Sequence, residues 1–152
     1  MDDLKTLLAI EKIKRLKARY FRLMDTRHWD EWAKLFTRDC VFTFVTPPAW
    51  GADNSETKLE GRDQIVKFIR GLNDRGGTGV HHGHMPEIDI IDHRSATGIW
   101  AMYDYIVRPD RQAEGYGHYH ESYECDDAGE WHIASIRLTR IREDNVTVPL
   151  AS

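Results

Sequence analysis

The feature that most constrains this chain is a change of hydrophobic period at Gly76-Gly77. Most of the chain before that point carries apolar residues at three- and four-residue steps; beyond it they alternate with a period of two. Strand-like segments are predicted at 79–91, 96–107, 115–125 and 131–142, separated by turn-forming clusters at Asp92-His-Arg-Ser95, Pro109-Asp110 and Asp126-Asp-Ala-Gly129. Sequential strands with such short connections predict a largely antiparallel, strongly bent sheet. Helices first and a meander of long strands afterwards describe an α+β domain with its helices on one face. A curved sheet closed off by three helices from the N-terminal half leaves a concave pocket.

The helical half supports that layout in detail. Ala9, Ile13, Leu16, Tyr20 and Leu23 form the stripe of a core-packed helix over 4–24, with Lys12, Lys14, Arg15, Lys17, Arg19 and Arg22 covering much of the rest. Asp25 follows the stripe's end. Five positions on an unbroken helix separate it from Tyr20 by about 140°, so the two side chains converge only if Asp25 lies at or past the terminus. A short second helix follows, capped by Asp30 or Thr26 and anchored by Trp29, Trp32, Ala33, Leu35 and Phe36. Residues 40–45 are β-branched and aromatic and read as a strand ended by Pro47-Pro48. The polar stretch 51–59 reads as a mobile loop, beside a Trp50 that is either a lid or a packed aromatic. A third helix over 61–72 buries Ile65, Val66, Phe68, Ile69 and Leu72.

Strand positions of both parities are apolar, Ile99, Ala101, Tyr103 and Tyr105 against Trp100, Met102 and Ile106. One face then meets the helices and pocket, and the other a second subunit, which predicts a homodimer or larger assembly such as a homotrimer. A length of 152 residues is one domain's worth. The net charge of −4 and pI near 6.0 leave no basic footprint for nucleic acid. No apolar run approaches the roughly 18 residues a membrane helix needs. Residues 1–30 are charged throughout, unlike a signal peptide, and Cys40 and Cys125 read as reduced thiols, which together predict a cytoplasmic protein.

Candidate chemistry concentrates in histidine. His81, His82 and His84 precede the apolar strand positions Ile88 and Ile90. Plain alternation sets His82 and His84 on the face of those isoleucines and His81 on the other; a bulge at Pro86 swaps that parity. Periodicity alone does not choose among the three. His118 and His120 share one face of a later strand, opposite Tyr119, Glu121 and Tyr123. Each imidazole is a packing residue or a proton carrier. Asp25 is a turn former unless it reaches a buried imidazole, where a carboxylate holds the tautomer and raises basicity. Arg137, Arg140 and Arg142 on the last strand are edge residues or ion-pair partners. His118-x-His120-x-x-x-Glu124 has the spacing of a metal motif but lacks the surrounding glycines, and no metal or cofactor is expected. Nucleophile elbows, phosphate-cradling loops and dinucleotide fingerprints are absent from the sequence.

Taken in order, Tyr20-x4-Asp25-x3-Trp29-Asp30, Gly61-Arg-Asp63-x-Ile, Val80-His81-His82-Gly83, Ala96-Thr-Gly, Gly117-x-Tyr119 and Gly129-Glu-Trp131-His-Ile133-Ala resemble the SnoaL-like branch of the nuclear transport factor 2-like superfamily. The resemblance covers nearly the whole chain and implies a cone-shaped α+β barrel. Within that branch the chain looks like the scytalone dehydratase, bile acid dehydratase and hexachlorocyclohexane dehydrochlorinase group, in which an Asp ending the first helix orients a strand His acting as base. The resemblance assigns those roles to Asp25 and His81, a phenol to Tyr20, and a late-strand guanidinium to Arg140. Met24 departs from the scytalone dehydratase pattern, which has Tyr there, and Tyr20 from the dehydrochlorinase, which has Lys.

The expected activity is that of a cofactor-independent lyase or isomerase on a small apolar, cyclic substrate. Phe42, Phe44, Trp50, Met85, Trp100, Met102, His120 and Arg140 are its expected lining. The alternative implied by the same resemblance is a non-catalytic binder or a structural subunit akin to the β subunit of ring-hydroxylating dioxygenases.

Overall fold

The computed structural model describes residues 2–45 and 56–147. Helix α1 runs Asp3–Asp25 and starts where Asp2 accepts a hydrogen bond from the Lys5 backbone N–H at 2.9 Å, satisfying one otherwise unpaired donor of the first turn. A five-residue helix α2 (Trp29–Ala33) begins at His28, so Asp30 sits inside its first turn and Thr26 bonds elsewhere, to the Arg22 carbonyl. Neither caps it through a side chain as the sequence suggests. Strand β1 (Phe36–Val45) and strand β2 (Glu56–Glu60) pair antiparallel, followed by α3 (Arg62–Asn73). Four long strands complete the chain: β3 (Thr78–Ile90), β4 (Ser95–Arg108), β5 (Arg111–Cys125) and β6 (Trp131–Thr147).

The six strands form one sheet in the order β2-β1-β6-β5-β4-β3, antiparallel except where β1 runs parallel to β6. The expected α+β architecture, a bent and mainly antiparallel sheet with three helices against it, is the observed one. One expectation fails. Within the stretch read as a mobile loop, residues 56–60 form a strand, because β1 supplies its ladder and Leu59, opposite Phe42, its single buried anchor. A lone apolar residue has no period to detect.

Curvature enters through irregular pairing. Register shifts fall between His84 and Glu87 on β3 and, in the β5–β6 pairing, at Ile141 and Ala134 of β6, and such bulges bend and twist a sheet. The concave face carries the core: Phe36, Cys40, Phe42, Tyr119, Tyr123, Ile133 and Ile136 under Ile13, Leu16 and Tyr20 of α1 and Trp32 of α2. Trp32 donates its indole N–H to the Tyr20 carbonyl at 3.1 Å, tying α2 to α1.

Lys17 departs from the reading as a solvated outer residue. It is completely buried and ion-paired with Glu121 of β5. Four residues after Ile13 and three before Tyr20, it falls inside the apolar stripe by spacing. Its partner lies 104 residues away in the chain.

Candidate active site

Asp25 is the last residue of α1, which is the condition under which its carboxylate can turn away from the helix wheel. It meets β3, the terminal strand of the sheet, whose outer edge has no neighbouring strand among the described residues to take its backbone donors. The His81 backbone N–H donates to Asp25 Oδ2 at 3.0 Å, and the His81 ring places Nδ1 2.6 Å from Oδ1. One carboxylate thus fixes both the strand edge and the imidazole. An ionised carboxylate only accepts, so in the neutral imidazole Nδ1 carries the proton and Nε2 the lone pair. The side chains of His81 and Asp25 are 13% and 21% exposed, sheltered but not sealed.

The bulge decides which histidine takes this place. His84 pairs with Ala101 and Glu87 with Ile99, so Met85 and Pro86 together oppose Trp100, with Met85 at a positive φ of 41°. That extra residue swaps the parity. His81 joins Ile88 and Ile90 on the inner side, while His82 and His84 point outward and are exposed.

His81 lines a cavity of about 120 Å³. Its apolar wall comes from Met24, Phe42, Phe44, Ile69, Leu72 and Leu138, with the Phe42 and Phe44 rings stacked 4.1 Å apart. Two phenols, Tyr20 and Tyr119, also face it, their ring centroids 6.1 Å apart. Burial pushes both phenols' pKa values well up, with Tyr119 and Glu121 adding to it for Tyr20, so both stand as protonated donors at neutral pH. Two of the charged residues in the wall neutralise each other. Arg140 grips Asp104 with two parallel bonds of 3.1 and 2.8 Å. Gly115 lies beneath that pair, and a Cβ there would come within 1.8 Å of an Arg140 nitrogen and 2.2 Å of an Asp104 oxygen.

Of the residues expected from sequence, His81, Tyr20, Phe42, Phe44 and Arg140 line this cavity, and Asp25 holds His81 from behind. Four expected lining residues lie elsewhere. Met85 is 88% exposed on the bulge, turned out by the same irregularity that turns His81 in. Trp100 lies beside a groove between α1 and β3 and donates its indole N–H to Tyr123 at 2.8 Å. Met102 is buried without reaching the cavity. His120 is on the opposite sheet face, 3.2 Å from the Thr139 hydroxyl. Trp50 lies outside the described residues. The metal alternative has no converging donors: among the described residues no three His, Cys, Asp or Glu side chains gather as a metal would need.

Tyr119 and Asp104 are cavity residues that sequence reading missed. A signal existed for each. Tyr119 alternates against His118 and His120, and Asp104 is in phase with the buried positions Trp100 and Met102, where an acidic residue implies a buried cation.

The SnoaL-like domain family matches residues 5–137, and the chain belongs to that family. Solved structures share the fold. A candidate scytalone dehydratase from Novosphingobium aromaticivorans superposes with a TM-score of 0.79 at 22% identity, covering 97% of this chain and 93% of that one. A hexachlorocyclohexane dehydrochlorinase from Novosphingobium barchaimii gives 0.78 at 15% identity, over 99% of each chain. The β subunit of a candidate aromatic-ring-hydroxylating dioxygenase, also from Novosphingobium aromaticivorans, gives 0.72 at 14% identity, over 89% of this chain and 90% of that one. No described helix is long and apolar enough to cross a membrane.

Proposed function

We propose that this protein is a cofactor-independent lyase or isomerase, dehydratase-like, acting on a small apolar and cyclic substrate through the His81–Asp25 dyad. The observation that carries the reading is the double acceptance by Asp25 of the His81 ring and backbone, beside an apolar cavity that also holds two protonated phenols. That combination supports an enzyme over the structural-subunit alternative, for which a tautomer-locked imidazole has no use.

In a dehydration, the C–H bond next to an activating group yields its proton to His81 Nε2. Its electron pair forms the new double bond and the C–O bond breaks, the departing hydroxyl leaving as water with a proton from Tyr20. Return of the His81 proton to the Tyr20 oxygen restores the site, so the sum is loss of one water. In an isomerisation the same two groups remove and replace a proton. General acid–base catalysis of this type contributes roughly 10²–10⁴-fold. The apolar wall adds by keeping water from competing for the proton.

The test is deuterium exchange. Cyclic β-hydroxy ketones are incubated with the protein in D₂O and followed by NMR for deuterium at the carbon next to the carbonyl and for loss of the hydroxyl. His81→Asn and Asp25→Asn are each expected to lower exchange by at least about 10²-fold, with thermal unfolding little changed. Undiminished exchange in both variants sinks the dyad. The reading also includes a homodimer or homotrimer formed through the outer sheet face.

A further inference from the structure

The cavity's interior and its mouth differ in charge. Inside, the Asp104 and Arg140 charges cancel through their bidentate pair, and the remaining wall is apolar or phenolic apart from the His81 imidazole. An ionised substituent held there would lose its water for no uncommitted counter-charge. Among the described residues, the more exposed part of the lining is the segment joining α3 to β3 and the end of β4, Asn73, Gly76, Gly77, Thr78, Val107 and Arg108, which we take as the mouth. Gly77 sits so close to β4 that a Cβ would come within 1.9 Å of the Val107 carbonyl, and Arg27 donates to the Gly77 carbonyl at 2.6 Å. This rim is therefore pinned, and its glycines leave the opening free of side chains on that side.

Arg108 supplies the rim's charge. Asp104 and Glu143 are ion-paired with Arg140 and Arg111, the latter at 3.0 Å, and Asp74 lies 3.8 Å from Arg70. Among the described residues no carboxylate lies within the 4.0 Å ion-pair distance of the Arg108 guanidinium. Arg108 is half-buried and is one of the residues that line the cavity. Size gives the third constraint. At about 120 Å³ the cavity is near the ~150 Å³ cavity that accepts a benzene ring.

We infer that the substrate is a single-ring organic anion whose uncharged ring fills the cavity while its carboxylate stays at the mouth on Arg108. The inference rests on the reading of this cavity as the substrate site, and it adds the charge and size of what binds there. Arg108 is then a specificity-determining residue and takes no part in proton transfer. A guanidinium meets a carboxylate with two parallel N–H donors, and the apolar wall takes the ring.

Calorimetric titration with benzoate and with its neutral isostere benzamide tests this on the full chain, with no need of turnover. Benzoate is expected to bind at least about fivefold more tightly than benzamide at low salt, a preference that weakens as salt rises. Arg108→Gln is expected to abolish the preference while leaving benzamide binding unchanged, and Arg108→Lys to keep part of it. Equal binding of the two ligands, binding of neither, or a preference that survives Arg108→Gln overturns the inference. Benzoate binding through Arg108 without deuterium exchange on any ketone would instead sink the lyase reading and leave this one standing. Exchange on neutral ketones with no benzoate preference would do the reverse.

Discussion

The Lys17 ammonium lies over three aromatic rings, 3.7 Å from the centroid of Tyr119, 4.0 Å from Tyr20 and 4.8 Å from Phe21, and is ion-paired with Glu121. Glu121 accepts in turn from the Tyr123 hydroxyl, which accepts from the Trp100 indole. This buried chain packs beneath the two phenols that face the cavity, so it positions Tyr20 and Tyr119 without touching what binds there. A buried ion pair adds little net stability over apolar residues, but breaking one strands a charge. Lys17→Ala is expected to cost about 3–5 kcal/mol in urea unfolding, while Lys17→Met combined with Glu121→Leu costs much less. A double variant as unstable as the single one would show that burial volume, not charge pairing, holds α1 to the sheet.

Strand β3 does two jobs because it is at once an edge and a bulged strand. Its free edge gives Asp25 a backbone donor to accept from, and its bulge turns His81 in and Met85 out. A central strand would have spent that donor on a ladder. The sheet's outer face bears on assembly: Ile99 and Tyr116 are 38% and 37% exposed, with Ala101, Tyr103 and the outward histidines between them. Tyrosine is enriched at subunit contacts, which is the basis of the assembly proposed above. Light scattering at tens of micromolar is expected to report a dimer or trimer that Ile99→Arg reduces to a monomer. A monomeric wild-type protein would refute the assembly.

For the molecule as a whole, three phenols are buried in one core: Tyr20, Tyr119 and Tyr123. Burial raises the pKa of each above the ordinary 10.0, with Glu121 adding to it. The folded state therefore holds protons that the unfolded chain releases above pH 10. Stability from these groups is fully present below that pH and is lost as pH rises through the raised folded values. Lys17 acts in the opposite sense, since burial lowers its pKa, but only below its unfolded value of 10.5. Above that point, unfolding free energy is expected to fall by roughly 1.4 kcal/mol per buried phenol per pH unit, the buried Cys40 thiol, pushed up to about 12, adding to the slope, and Tyr123→Phe to remove one phenol's share of it. Urea titrations between about pH 10.5 and 11.5 check this; a flat profile would mean the phenols ionise inside the fold.

The sequence by itself determined the α+β class, the three helices and the four long strands, because period and turn residues are local properties of the chain. Together with the family resemblance it also reached Asp25, His81 and Tyr20. Only the tertiary structure decided that His81 and not its neighbours faces inward, since a bulge is an irregularity that alternation cannot place. The same holds for the strand at Glu56–Glu60, for Lys17 as half of a buried pair, and for Asp104 neutralising Arg140. Each depends on a partner many residues away. A sequence pattern reports how a residue relates to its neighbours along the chain; its charge balance and its place at a cavity are set by what folds against it.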